Sequence, residues 1–126
     1  MGMLNAIRSA YSHYFTLQGR ATRSEYWWFW LYQCLAYIFI ASICVTVCVA
    51  FQDNDGLSFV LVGIFGLFHI IPNFTILVRR LHDSSKSGWW ILLLLLSGPG
   101  TLILFIFTLL PSEGDNKYGR NPHNII

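Results

Sequence analysis

Charge is what this chain has least of. Only 11% of its 126 residues are Asp, Glu, Lys or Arg, against roughly a quarter in ordinary soluble domains. A soluble bundle needs polar faces to cover its core, and too few polar residues remain to make them. A composition that is 55% hydrophobic and 17% aromatic therefore points to an integral membrane protein. Other absences narrow the chemistry. No CxxC pair occurs, and Cys34, Cys44 and Cys48 fall in one apolar run with no His or carboxylate beside them, so they read as small packing residues rather than a metal or redox centre. The first 25 residues carry Arg8, Arg20 and Arg23 but no apolar core of signal-peptide type, and the first span is expected to double as an uncleaved anchor. Ala6 stands where a myristoylation signal has Ser or Thr. A net charge of only +2 argues against a nucleic-acid partner.

What is present in quantity is apolar length. Trp27 to Phe51, Leu57 to Val78 and Trp89 to Leu110 are uncharged runs of 25, 22 and 22 residues. At about 1.5 Å of rise per residue, each helix would be long enough to cross a hydrocarbon core of roughly 30 Å. The expected fold is all-α: one polytopic membrane domain over residues 1–126, with transmembrane helices at 24–51, 57–80 and 88–110. An interfacial amphipathic helix at 3–18 should precede them and a polar tail, 111–126, should follow. Met3, Leu4, Ile7, Tyr11, Tyr14 and Phe15 recur at helical spacing, apart from Arg8, Ser9, Ser12 and His13, which suits a helix in the headgroup region. The same pattern would suit a helix folded against the protein's own spans. Gly19 can end that helix, Thr22 and Glu25 fit a capping box, and Tyr26, Trp27, Trp28 and Trp30 make half of an interfacial belt.

The third run is interrupted by Ser97-Gly98-Pro99-Gly100. A single kinked crossing is expected; the alternative is a re-entrant hairpin that turns at Gly98-Pro99-Gly100 and brings the tail back to the side where the run began. Lys and Arg number three before the first span, none in the acidic loop at 52–56, three between 79 and 88, and two in the tail. The positive-inside rule then places the N-terminus and the second loop in the cytoplasm. Three crossings put the tail outside, and a hairpin puts it inside.

In that topology the start of span one, the end of span two and the start of span three meet at one interface. They gather Arg20, Arg23, Glu25, Arg79, Arg80, His82, Asp83 and Lys86. Basic side chains beside two helix N-termini suit an anion, the cytoplasmic leaflet supplies anionic headgroups, and Arg holds phosphate through paired donors. The plainer reading is that Arg79, Arg80 and Lys86 anchor the topology and pair with Glu25 and Asp83. Catalysis is not expected, because His82 and Asp83 are adjacent and adjacent side chains rarely face each other. Glu25, His82 and Asp83 have suitable ligand types but no diagnostic metal spacing, and no cofactor is expected.

Gly66, His69 and Asn73 form a polar and small-residue stripe in span two, on the face that carries Val62 and Arg80. Such stripes serve helix packing in lipid. They also serve polar pathways, which gives an alternative function: an oligomeric small transporter or channel. In the tail, "EGDNKYG" lacks the alternating ligands of a calcium loop and should form an ordered turn. The expected partners are anionic membrane lipids, further copies of the chain, or a membrane partner protein.

"GRATRSEYWWF", "RRLHDSSKSGWW" and "GDNKYGRNP", in that order between apolar spans, resemble the DUF805 family of small bacterial inner-membrane proteins, the YhaH and YhaI type. The resemblance runs over nearly the whole chain. It implies motif positions at Gly19, Arg20, Arg23, Glu25, Tyr26 and Trp27, then Arg79 to Asp83, then Ser87, Gly88 and Trp89, and in the tail Asn116, Tyr118, Gly119 and Pro122. It implies an inner-membrane location, and a family of unknown function offers no activity to carry over. Where the family usually has a Pro and a Gly a few residues apart, this chain has Gly98-Pro99-Gly100.

Overall fold

The computed structural model describes residues 1–52 and 56–124. Residues 53–55 of the acidic loop and the last two residues of the tail lie outside the described residues. Among the described residues the fold is all-helical, with no β-strand elements: α1 (Met3–Ser12), α2 (Arg23–Phe51), α3 (Gly56–Asp83), a 3₁₀ helix (Gly88–Leu96), α4 (Gly98–Leu109) and a short 3₁₀ turn (Pro122–Asn124). α2 and α3 are the two helices long and apolar enough to cross a membrane. Their outward faces carry large exposed side chains such as Phe39, Val49, Phe59 and Leu67, the surface a lipid solvent permits.

The third apolar run does not make the single kinked crossing. The 3₁₀ helix and α4 fold back on each other, with Trp90 edge-on to Phe107 at 5.4 Å and Lys86 over the Phe107 ring at 5.5 Å. Start and finish of the run therefore lie at the same end of the molecule, which is the hairpin alternative. At about 2.0 Å per 3₁₀ residue and 1.5 Å per α residue, both limbs are about 18 Å long. The turn depends on Gly100: a Cβ there would run into the Leu93 carbonyl. Ser97 sits at φ 54°, a conformation that favours glycine.

α1 is shorter than expected, and its end is tied to the other helices. The hydroxyl of Tyr14, just beyond α1, donates to the carbonyl of Phe68 at 2.6 Å. Phe68 stands four residues before Pro72, whose missing N–H leaves that carbonyl without its helical donor. Tyr14 supplies what Pro72 removed. Tyr11 reaches His69 Nε2 at 2.6 Å and Tyr32 at 3.0 Å, and Ala6 and Ala10 are buried. The chain beyond Ser12 does not continue as helix to residue 18 because Tyr14 is held at Phe68 and Gly19 turns the backbone at φ 91°. Of the two readings of residues 3–15, packing on the protein's own helices is the arrangement observed.

Candidate functional site

The charged motif residues converge where α2 starts, α3 ends and the hairpin closes. Thr22 caps α2 by accepting from the Glu25 amide at 3.1 Å. The Glu25 carboxylate turns away from the cap, accepting from Ser9 Oγ at 2.7 Å and pairing with Arg79 at 3.3 Å. α3 continues as helix through Arg79, Arg80, His82 and Asp83, past the expected end at 80. Asp83 is fully buried, and its carboxylate accepts from Arg20 Nε at 3.0 Å, from Arg80, and from Ser112 Oγ.

The arginines are spent on the protein itself. Arg20 donates from Nε to Asp83, from Nη1 to the carbonyls of Gly114 and Gly119, and from Nη2 to those of Asp83 and Glu113. That uses all five donors a guanidinium has. Arg80, at 0% exposure, donates to the carbonyls of Ala21, Thr108 and Leu110, and Arg23 donates to that of Leu109 at 2.9 Å. Thr108, Leu109 and Leu110 form the last turn and cap of α4, where a helix leaves carbonyls unmet and its dipole favours cations. Two arginines from α2 and α3 thus cap the returning limb. Arg79 donates to the Arg20 carbonyl at 3.1 Å, and its Nε is buried without a partner.

The tail completes the layer. Asn116 and Gly119 close a tight turn with reciprocal backbone bonds at 3.1 and 3.0 Å, and Gly119 stands at φ 136°. The ordered turn expected of "EGDNKYG" is present. Asn116 Nδ2 donates to the His82 carbonyl at 2.9 Å, and Tyr118 stacks on the His82 ring, centroids 3.8 Å apart and planes within 5°. His82 does not join Asp83 in a pair; its Nδ1 bonds the Gly19 carbonyl at 3.3 Å. Gly88 lets the 3₁₀ helix approach, since a Cβ there would stand 3.0 Å from Val78 and 3.4 Å from His82 Nε2. Ser87 caps that helix by accepting from the Trp89 amide at 3.3 Å. Lys86 lies at the rim, half-buried, and Pro122 begins the terminal turn. Among the described residues no three His, Cys, Asp or Glu side chains converge as a metal site.

The intramembrane stripe is divided between two neighbours. His69 is buried; Nδ1 bonds the Phe65 carbonyl at 2.8 Å and so carries the proton, leaving Nε2 to accept from Tyr11. Burial pushes the Tyr11 phenol above its ordinary range, so it keeps the proton it donates. Asn73 Oδ1 accepts from Gln33 Nε2 at 3.0 Å, and a Cβ on Gly66 would stand 3.8 Å from the Tyr37 hydroxyl. Sequence reading missed Gln33, Tyr11 and Ser112. Gln33 was detectable in principle as the one amide within the first apolar run.

A cavity of about 530 Å³ lies beside this layer, between the end of α3 and the 3₁₀ helix. Phe74, Val78, Ile91 and Leu92 line its apolar part, and His82, Ser87 and Tyr118 its polar part.

Comparison with known proteins follows the same residues. The family described as "Protein of unknown function (DUF805)" matches residues 14–120. Inner membrane protein YhaH of Escherichia coli K12 is 32% identical over 111 residues, 87% of this chain and 89% of its own. Inner membrane protein YhaI of the same strain is 32% identical over 116 residues, 90% of this chain and 92% of its own. No solved structure matches. With the arginine, histidine and tail motifs in one layer and the family matching most of its length, the chain belongs to the DUF805 family.

Proposed function

We propose that this chain is a non-enzymatic, multi-pass inner-membrane protein that holds an anionic lipid at its cytoplasmic face. α2 and α3 cross the bilayer, the 3₁₀–α4 hairpin re-enters it, and both the N-terminal segment and the tail lie in the cytoplasm. Charge supports this topology. With the tail returned by the hairpin, all eight Lys and Arg stand on one side and the loop at 52–56 carries none, the distribution the positive-inside rule describes. A third crossing would strand Lys117 and Arg120 on the other side.

The observation that carries the lipid reading is the cavity. Its apolar wall suits an acyl chain and its polar part is the His82–Tyr118 stack, with Lys117 Nζ 5.0 Å from the Tyr118 centroid. Trp89, 78% exposed, lines it, as expected at a headgroup boundary. The phosphate is taken at Lys117 and Ser87 rather than at Arg20 and Arg80, whose donors are engaged, or at His82, whose Nδ1 proton is held by the Gly19 carbonyl. Arg79, Arg80, Arg20 and Asp83 build the layer beside the cavity, and His82, Ser87 and Tyr118 line its polar part. His69, closed by Tyr11, leaves the transporter reading without support from an open path.

The test is lipid retention after gentle extraction, read by native mass spectrometry. Leu92→Trp, at a 52% exposed wall position, should fill the cavity and cut bound anionic lipid several-fold with the melting midpoint kept. Unchanged retention in that variant would overturn the reading.

A further inference from the structure

Two amides sit within the otherwise apolar wall of the crossing helices. Gln33 on α2 and Asn73 on α3 are each ten positions from the end of the helix nearest the charged layer, Arg23 and Asp83, or about 15 Å along the axis. Gln33 donates to Asn73 Oδ1 at 3.0 Å. Gln33 Oε1, in a residue only 5% exposed, is buried with no donor. Asn73 is exposed, and its amide nitrogen is not engaged in that bond. The pair lines a cleft of about 330 Å³ together with Trp30, Tyr37 and Leu77.

At this depth no water is at hand to satisfy an amide, and polar groups of membrane helices are met by other helices. An acyl chain offers neither donor nor acceptor. A lipid ester carbonyl could accept from Asn73 but would leave Gln33 Oε1 unmet. The pair lacks one donor and one acceptor, and the same two groups, exchanged by a two-fold rotation, supply both. Self-complementarity of this kind is what an isologous contact requires. We propose that the α2–α3 cleft is a homodimer interface, in which Asn73 of each copy donates to Gln33 Oε1 of the other. Oε1 is buried in the single copy, so the contact requires a rotamer shift of Gln33 toward the cleft that keeps Nε2 on Asn73 Oδ1.

The experiment uses the full chain with two different tags, co-expressed and extracted in mild detergent. The wild type should co-purify as mixed dimers. Asn73→Leu should weaken association at least tenfold in a folded, monodisperse protein whose melting midpoint falls only modestly, the fall coming from the lost acceptor of Gln33 Nε2. Asn73→Gln, which keeps the amide, should restore part of it. A monomeric wild type, a dimer indifferent to Asn73→Leu, or a different protein bound stoichiometrically at this cleft would each overturn the proposal. Leu92→Trp should leave dimerisation unchanged, so failure of the lipid reading and failure of this one are separable.

Discussion

Asp83 shows what a single residue does here. Its carboxylate takes Arg20 from the N-terminal loop, Arg80 from its own helix and Ser112 from the tail, so three chain segments meet on two oxygens. Asp83→Asn leaves two buried guanidiniums without a counter-charge, and breaking such a pair costs about 3–5 kcal/mol. The unfolding midpoint in detergent should fall sharply. Arg23→Ala is the control: Arg23 is exposed and gives up one recorded carbonyl bond, so the loss should be about 1 kcal/mol or less. The identity of these residues was legible in the sequence, as was their gathering at one interface. Their use was not, because Arg20 bonds residues 63 to 99 positions away, and a guanidinium bound for a phosphate and one bound for a carbonyl look the same in a sequence.

Among the elements, α1 and the hairpin are the informative cases. Tyr14 answers the carbonyl freed by Pro72, so Tyr14→Phe should destabilise by about 0.5–1.5 kcal/mol, the net worth of one hydrogen bond. Pro72→Ala gives that carbonyl back its helical donor. In the Pro72→Ala background the cost of Tyr14→Phe should therefore shrink, a coupling of about 0.5 kcal/mol or more in a double-mutant cycle; additive losses would deny the link. The hairpin makes its own prediction. Gly100→Ala drives a Cβ into Leu93, whereas Gly98→Ala meets nothing within 4 Å. The first should lower the melting midpoint of the purified protein well below the second. Helical character and turn position were readable from the apolar runs and from Ser97-Gly98-Pro99-Gly100. Length misled about the third run, since 22 uncharged residues fit one crossing and two half-limbs equally well. The arginines capping α4 favour the half-limbs, and caps from distant helices leave no local pattern.

For the whole molecule, the hairpin and the buried charges are one device. Arg80 and Arg23 hold the returning limb, Arg20 holds the tail, and the tail in turn closes over His82 through Asn116 and Tyr118. The charged layer is complete only if the tail is on the same side as the N-terminal segment. Labelling of single cysteines with a membrane-impermeant maleimide tests this most directly. In a chain freed of Cys34, Cys44 and Cys48, the exposed positions Asn5, Gln52 and Arg120 are replaced one at a time by cysteine. From the periplasmic side only Gln52→Cys should react, with Asn5→Cys and Arg120→Cys reacting once the membrane is opened. Reaction of Arg120→Cys from the periplasmic side while Asn5→Cys stays protected would contradict the hairpin, and with it the site built on the returned tail.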